Sequence, residues 1–412
     1  MKPSNLVYEP GSAVPPSGIQ IPAEKRRVTI IAETLGRDRG GAEIYLTRLV
    51  DLLAKNGHPV EVFVRRPVRD AMDSNVRVEV VSTMRRTRIV WERRFASRIA
   101  RRMGGPREVV LSTLPLPGIT HYQPHSGLYR DAFEAFYQSM EPGLGRTLYS
   151  WGNGLNFRRH SLVKMQEQLL SGPHAPKVMT FSRTFRTQLL KSYPALASSV
   201  VTVPLGVDLE RYHPGREEIN TWLPEHKPGQ LVLLFVAHNF RLKGLASLLV
   251  AMRDAVRQGL DATLLVVGAR GRNNQAFPAM AALQGIGSHV RFLGPVADRD
   301  MARLYRSCDA LVHPTFSDHC SLVVLEALAC GLPVITTRQN GASELMESGK
   351  QGVILDHAKD VAALTSALLR LQNCETLREM GAAACALRPK IDFADHAQQV
   401  LAWLTGGQGA TS

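Results

Sequence analysis

The chain has 412 residues, of which 44% are hydrophobic and 21% charged, so it is long enough for two or three domains with separate cores. No apolar run reaches the about 18 residues of a membrane-spanning helix, and residues 1–26 lack the apolar centre of a signal peptide. Five scattered cysteines without C-x-x-C spacing are typical of a reducing compartment, and the 13 histidines form no metal-binding pattern. We therefore expect a cytoplasmic protein without a structural metal, with a flexible leader over 1–26.

The net charge of +14 is concentrated between 85 and 107, where nine arginines accompany one acid, Glu92. Trp91, Phe95 and Ile99 recur at every fourth position and so share one helical face. An apolar stripe flanked by arginines favours a helix that lies on an anionic membrane surface, and equally a helix that packs its stripe on a sheet and leaves its arginines in water. Nucleic acid is the least favoured partner, because no nucleic-acid-binding motif accompanies the charge.

Strand and helix patterns alternate over 27–208. The predicted strands are RRVTIIAETL, HPVEVFVRR, EVVLST, GITHYQP, KVMTF and SSVVTV. A loop, GRDRGGAE, links the first strand to an amphipathic helix that ends at Gly57. This loop lacks the G-x-G-x-x-G pattern of a dinucleotide site, but the adjacent Gly40 and Gly41 allow another group to approach the backbone closely.

The same alternation continues over 209–390 after a polar linker. The predicted strands are LVLLFVAHNF, DATLLVVGA, HVRFLGPV, DALVHPT and PVITT. Beyond Gly352 the pattern predicts helices alone, the last being the amphipathic DFADHAQQVLAWL. Alternating strands and helices predict an α/β protein with two parallel sheets, whose ligands bind beyond the carboxyl ends of the strands.

Two acids lie eight positions apart in HPTFSDHCSLVVLEALACGLPVITT, which we interpret as strand, loop, helix and strand. Asp318 lies in the loop and Glu326 on the helix. The backbone N–H groups of Cys320, Ser321 and Leu322 open that helix and are predicted to point at an anion. The alternative is that Asp318 only caps the helix and Glu326 lies in solvent or in an ion pair.

This segment resembles the donor-binding motif of retaining glycosyltransferases of the GT-B fold, family four (glycosyltransferase group 1), and is similar to that of lipopolysaccharide-core glucosyltransferases. The family pattern has two glutamates separated by seven residues, and Asp318 is one methylene shorter than the first of them. The loop with Gly40 and Gly41 matches the family's first glycine loop. The interdomain pattern is matched by Gly206, Val207, Asp208 and Pro214.

The resemblance implies two Rossmann-like parallel-sheet domains that face each other across a cleft. The acceptor is expected to bind to 27–208 and a nucleotide-sugar donor to 209–390, with 391–412 crossing back onto the first domain. The implied reaction moves a hexosyl unit to a glycan or lipid-linked acceptor with retention of configuration, as in the synthesis of cell-envelope polysaccharide or lipopolysaccharide. No metal or other cofactor is implied. The enzyme is expected in the cytoplasm or peripherally on the inner face of the membrane.

By the same resemblance Asp318 contacts hydroxyls of the donor sugar and Glu326 contacts the ribose. Arg241 and Lys243, in the loop HNFRLKGL, are expected to clamp the diphosphate, since an arginine can grip phosphate with two hydrogen bonds while a lysine acts as a point charge. The family pair is more widely spaced than Arg241 and Lys243 are.

His125 is the candidate in the first domain for contacting the transferred sugar, and Ser126 takes that place if the match is shifted by one position. Another enzyme of the same fold, such as a nucleotide-sugar epimerase or a phosphorylase, is the alternative function. An epimerase needs no acceptor surface, and a phosphorylase carries a lysine that anchors pyridoxal phosphate.

Overall fold

The computed structural model describes residues 27–36, 40–66, 68, 72–81, 108–140, 143, 146–147, 149, 156–268, 271 and 274–406. The predicted leader over 1–26 and the arginine-rich stripe of Trp91, Phe95 and Ile99 lie outside these residues. Among the described helices, none has the length and apolar character needed to cross a membrane.

Seven parallel strands of the described residues form the N-terminal sheet, in the order β3-β2-β1-β4-β5-β6-β7. They are β1 (Val28–Ala32), β2 (Val60–Val64), β3 (Val76–Val80), β4 (Val109–Ser112), β5 (His121–Tyr122), β6 (Lys177–Thr180) and β7 (Val200–Thr202). The accompanying helices are α1 (Gly41–Lys55), α2 (Tyr129–Gln138), α3 (Phe157–Ser171) and α4 (Arg183–Ser192). The central strands β1 and β4 are buried at every position, which explains why each carries only one polar residue, Thr29 and Ser112 respectively.

Six parallel strands form the C-terminal sheet of the described chain, in the order β10-β9-β8-β11-β12-β13. They are β8 (Leu231–Val236), β9 (Ala262–Val267), β10 (Val290–Gly294), β11 (Ala310–His313), β12 (Val334–Thr337) and β13 (Gly352–Leu355). The helices are α5 (Leu245–Arg257), α6 (Phe277–Leu283), α7 (Asp298–Arg306), α8 (Leu322–Ala329), α9 (Val361–Arg370), α10 (Cys374–Cys385) and α11 (Phe393–Thr405). This strand order is that of a doubly wound Rossmann sheet.

The expectation that only helices follow Gly352 is wrong, because β13 begins at that residue and pairs with β12. A strand of four residues is too short to show an alternating pattern. Gly352 has a φ of 144°, and a Cβ placed there would lie 1.9 Å from the carbonyl oxygen of Val334. Only glycine therefore allows β13 to lie this close to its neighbour.

Helix α11 crosses back to the N-terminal domain, as predicted. The backbone joins the two domains at the hinge, where Val207 N donates to Ile391 O at 2.8 Å and Phe393 N donates to Val207 O at 3.0 Å. A Cβ at Gly206 would lie 2.4 Å from Asp392 O, so the glycine of the hinge pattern is required by this contact. Asp392 then caps α11 by accepting from Ala394 N at 2.9 Å.

Candidate functional site

The two domains present the ends of their central strands to one cleft. In the C-terminal sheet the strand order reverses between β8 and β11, which is where ligands bind in open parallel sheets. Lys243 follows β8 and Asp318 follows β11, so residues 75 positions apart in sequence come together at this point.

Lys243 Nζ donates to Asp318 Oδ2 at 2.6 Å and to Ser317 O at 3.1 Å. His313 Nε2 lies 3.7 Å from the same carboxylate oxygen. Burial alone raises the pKa of Asp318, but the Lys243 ammonium and the His313 ring outweigh burial and hold this pKa well below its usual range. Asp318 is therefore ionised and paired with a cation, and this pair holds Lys243 at the carboxyl ends of the strands.

Gly244 explains the position of Lys243 in this loop. It has a φ of 82°, and a Cβ there would lie 2.0 Å from Pro314 O, so the backbone turns tightly against the end of β11. The carbonyl oxygen of Arg241, two residues before Lys243, accepts from Gly244 N at 3.0 Å, but the half-buried side chain of Arg241 makes no hydrogen bond or ion pair with the described residues. Its guanidinium is available to a ligand.

Helix α8 begins at Leu322, four positions after Asp318, with Ser321 as its N-cap. The prediction that three successive amides point at an anion is wrong for Ser321, because its N–H donates to the side-chain oxygen of Asn340 at 3.3 Å. Neither Cys320 nor Leu322 has an acceptor for its amide among the described residues, and the same is true of Val323. The helix N-terminus thus retains unpaired donors beside the Lys243–Asp318 pair.

Glu326 lies one turn further along α8 in different surroundings. Its Oε2 accepts from Tyr305 Oη at 2.9 Å, and Tyr212 also donates to it. Burial raises the pKa of Glu326 to about 7, although the two tyrosine hydroxyls act in the opposite direction. The pKa values of the two acids in the motif are therefore shifted in opposite directions. A cation lowers the pKa of Asp318, and desolvation raises the pKa of Glu326.

The predicted glycine loop of the N-terminal domain lies across the cleft from α8. Gly40 is the N-cap of α1, without a side-chain cap, and Gly41 is the first helical residue. A Cβ at Gly41 would lie 3.2 Å from Leu322 Cδ1, so the first residues of α1 and α8 meet. The positive ends of two helix dipoles therefore converge on the cleft.

His238 was not predicted from the sequence as a site residue. It lies just beyond β8, and a Cβ at Gly40 would lie 3.1 Å from its Nε2. Its side chain is exposed to the cleft region between the domains. A polar residue directly after the apolar run LVLLFVA is the signal in the sequence that could have found it.

His125 lies at the end of β5 on the N-terminal side of the cleft. Its Nε2 is 2.9 Å from Gln123 Oε1, and its ring packs beside Tyr45 and Phe181 with centroids 5.4 and 5.3 Å away. Burial lowers the pKa of His125 to about 3, so the ring is neutral at pH 7. Ser126, the alternative candidate, is exposed.

The cleft is closed by contacts between the domains. Glu344, beyond β12, accepts from the backbone N–H groups of Arg183 at 2.9 Å and Thr184 at 2.6 Å, which are the first residues of α4. His319 packs on Phe185 with centroids 4.2 Å apart. These contacts bring the ends of both sheets together around Asp318 and His125.

In the part of the chain that the structure describes, no group of three or more His, Cys, Asp or Glu side chains is arranged to hold a metal ion.

Two Rossmann-like parallel sheets facing one cleft, with a final helix that crosses back, define a GT-B fold. The chain belongs to the group 1 glycosyltransferases: the model described as glycosyl transferases group 1 matches residues 218–384, and that of glycosyltransferase family 4 matches residues 39–211. The resemblance inferred from the acidic motif and the glycine loop is thereby confirmed.

Among known proteins, the D-inositol 3-phosphate glycosyltransferase of Pseudarthrobacter chlorophenolicus is 28% identical over 386 residues, which cover 84% of this chain and 86% of that protein. The structure is similar to WaaG, a glycosyltransferase of lipopolysaccharide biosynthesis, with a TM-score of 0.76 and 20% identity over 92% of this chain and all (100%) of WaaG. It is also similar to Anabaena HepE in complex with UDP and glucose, with a TM-score of 0.66 and 16% identity over 92% of this chain and 100% of HepE.

Proposed function

We propose that this protein transfers a hexosyl unit from a nucleoside-diphosphate sugar to a hydroxyl of a glycan or lipid-linked acceptor, with retention of configuration and without a metal. The observation that carries the proposal is the convergence of Lys243, Arg241 and the N-termini of α1 and α8 on one cleft, next to the ionised Asp318. Such a site offers positive charge and unpaired N–H donors to a diphosphate, and a carboxylate to the hydroxyls of a sugar.

The diphosphate gains negative charge as the bond to the sugar breaks, and fixed positive groups stabilise that charge. Lys243 is preorganised for this role because the ion pair with Asp318 and the bond to Ser317 O hold its ammonium in place. Arg241 is free to add a second contact. The helix N-termini supply donors whose positions do not change during the reaction.

Asp318 suits the sugar better than the phosphate, because a carboxylate accepts hydrogen bonds from hydroxyls and repels an anion. Glu326, further along α8, is proposed to accept from the ribose hydroxyls, in exchange for the tyrosine hydroxyls that it binds in the free protein. His125 is proposed to contact the sugar from the opposite wall of the cleft. Transfer on the front face, with the departing phosphate oxygen taking the proton of the acceptor hydroxyl, needs no covalent nucleophile from the protein.

An acceptor in the synthesis of cell-envelope polysaccharide or lipopolysaccharide is favoured by the basic, apolar stripe at 85–107, which is proposed to hold the enzyme at an anionic membrane surface. Co-sedimentation with anionic vesicles tests this, with Arg93, Arg94, Arg101 and Arg102 changed to glutamine. Vesicle binding that is unchanged both by added salt and by these substitutions would contradict the membrane role.

The activity is tested by release of free nucleoside diphosphate from a panel of UDP-, GDP- and ADP-sugars, each with and without an acceptor. The acceptors are lipopolysaccharide core, a lipid-linked glycan and D-inositol 3-phosphate, the last because relatives carry that name. We expect release with one donor and a clear dependence on an acceptor, with the α-anomeric configuration of the donor kept in the product. Release of an altered nucleotide sugar without any acceptor would instead identify an epimerase.

A further inference from the structure

A chain of buried hydrogen bonds joins the crossing helix to His125. His396 Nδ1, on α11, lies 2.7 Å from Pro204 O, and His396 Nε2 lies 3.2 Å from Tyr45 Oη. Gln123 Nε2 donates to Tyr45 Oη at 2.8 Å, and Gln123 Oε1 lies 2.9 Å from His125 Nε2. These hydrogen bonds therefore run from α11, the last of the described helices, through α1, to the residues that follow β5.

The three linking side chains are shielded from water, with exposed fractions of 2% for His396, 3% for Tyr45 and 0% for Gln123. Burial lowers the pKa of His396 to about 4 and that of His125 to about 3, so both rings are neutral at pH 7. A neutral imidazole has one N–H donor and one acceptor nitrogen. Each bond in the chain can therefore run in only one direction at a time.

The direction is set at the Pro204 end, since a carbonyl oxygen can only accept. His396 must donate from Nδ1, and its Nε2 must then accept from the Tyr45 hydroxyl. With its hydrogen used, Tyr45 Oη accepts from the amide nitrogen of Gln123. This leaves Gln123 Oε1 facing His125, whose Nε2 must carry the hydrogen. The reverse order would place two acceptors, Pro204 O and a bare His396 Nδ1, 2.7 Å apart.

We propose that His396, Tyr45 and Gln123 are positioning residues that hold His125 in the Nε2–H tautomer, so that His125 offers the lone pair of Nδ1 to a hydroxyl group of the bound sugar. His125 Nδ1 has no hydrogen-bond partner among the described residues, and it is not enclosed by the protein, so a bound ligand can reach it. In the other tautomer Nδ1 would carry the hydrogen, so it would donate to the hydroxyl oxygen and could not accept the hydrogen of the hydroxyl group. The contact between Nδ1 and a sugar hydroxyl rests on the proposed function, whereas the tautomer is a property of the free protein.

The consequence is that the last helix contributes to the reacting end of the cleft without touching substrate. Tyr45 and His396 are 351 positions apart in the sequence, and they are brought together only because α11 returns to α1.

Tyr45→Phe is the direct test, because it keeps the ring that packs beside His125 and removes the hydroxyl alone. Gln123 then loses the acceptor that orients its amide, and the Nδ1–H tautomer of His125 becomes accessible. Histidine nitrogen NMR on the free, full-length protein reads the tautomer, with the His125 signals assigned by their loss in His125→Asn. We expect a single Nε2–H form in the unaltered protein and a mixture of forms in Tyr45→Phe.

His396→Phe acts one bond further away and is expected to produce the same mixture, because Tyr45 is then free to turn its hydrogen toward Gln123. The matched control is Trp403→Phe, on the same helix. Trp403 packs edge-on against His121 with centroids 4.6 Å apart, and its indole nitrogen has no hydrogen-bond partner within the described ranges. The control is expected to change thermal stability at most and to leave the tautomer unchanged.

In transfer or donor-hydrolysis assays, Tyr45→Phe is expected to lose about threefold to tenfold in kcat, the usual effect of one hydrogen bond, with unchanged affinity for nucleoside diphosphate. An Nδ1–H or charged His125 in the unaltered protein would overturn the proposal, as would a pure Nε2–H form in both variants. A protein that transfers no sugar but shows the expected tautomers would refute the proposed function and leave this inference standing.

Discussion

The C-terminal wall of the cleft is charged, whereas the part of the N-terminal wall around His125 is neutral. On the first, Lys243 pairs with an ionised Asp318 next to the unpaired amides of α8. On the second, His125 and Gln123 belong to a hydrogen-bond chain of uncharged groups. Among these groups only Lys243 and Asp318 are charged, and each is held by the other, a partner of opposite sign.

The difference matches the two chemical parts of a nucleotide sugar. A diphosphate needs fixed positive charge, whereas sugar hydroxyls need acceptors and donors in set directions and gain little from charge. A neutral wall also leaves the acceptor hydroxyl free of a competing cation. We therefore expect changes at Lys243 and Asp318 to alter the binding of the diphosphate, and changes around His125 to alter transfer alone.

The largest effect is expected for Asp318→Asn. The change keeps the shape of the side chain but removes the charge that holds Lys243 and accepts from the sugar, so kcat/KM should fall by about 100-fold, equivalent to about one strong charge-assisted hydrogen bond. Initial rates of nucleoside diphosphate release measure this. Asp356→Asn is the control, because Asp356 forms an exposed pair with Arg338 and should leave the rate unchanged. Unimpaired turnover in Asp318→Asn would remove the charged wall from the reaction.

The next effect is expected for Lys243→Met, which keeps the length of the side chain without its charge. Calorimetric titration should show about a tenfold or greater loss of affinity for nucleoside diphosphate and little change for the nucleoside. Lys350→Met, at an exposed pair with Glu347, is the matched control. Equal losses of affinity for both ligands would mean that the substitution disturbs the domain and that Lys243 does not contact the phosphates.

His125→Ala tests the neutral part of the N-terminal wall. It should reduce kcat by about tenfold, because one directed hydrogen bond and a ring contact are lost, and leave the dissociation constant of the nucleoside diphosphate unchanged. Rates and titrations on one preparation measure both quantities. A variant that binds the diphosphate more weakly would show that the neutral wall also takes part in phosphate binding.

Glu326→Gln gives the smallest effect and concerns pH. Because the pKa of Glu326 is raised to about 7, the carboxylate that accepts from ribose is a minor form at pH 6 and the major form at pH 8. The affinity of the unaltered protein for a nucleotide sugar, whose phosphates do not titrate in this range, should rise by about fivefold to tenfold between these values.

The sign for stability is the opposite. The folded protein holds the proton of Glu326 more tightly than the unfolded chain does, so the free energy of unfolding should fall as pH rises from the ordinary value of 4.5 to about 7. Both trends should be flattened in Glu326→Gln. A flat affinity profile in the unaltered protein would mean that Glu326 does not contact the ribose as a carboxylate.

The sequence predicted most of the alternating elements because buried parallel strands have nearly continuous apolar runs. It missed β3 (Val76–Val80), an edge strand that is only partly buried, and β13, which is only four residues long. The pairing of Lys243 with Asp318 follows from two loops at neighbouring strand ends, and such proximity is predictable once the strand order is assumed.

Contacts between distant segments could not be predicted in the same way. The role of Glu344 in capping α4 joins residues 161 positions apart, and the chain from His396 to His125 depends on how α11 returns. The use of the Ser321 amide by Asn340 is a similar case, since a side chain beyond β12 fills an acceptor position that the local pattern leaves open. Local patterns locate a helix N-terminus, but the neighbours that occupy it are set by the tertiary fold.

Hydrogen–deuterium exchange with bound ligands tests the division between the two walls most directly, because it reports both walls in one experiment. With nucleoside diphosphate, we expect slower exchange in the loops around Lys243 and Asp318 and at the start of α8, and little change around His125. With the nucleotide sugar, protection should extend to the segment that contains His125 and Gln123. Equal protection around Asp318 and around His125 by nucleoside diphosphate alone, or no protection around Asp318 with either ligand, would contradict this division of roles.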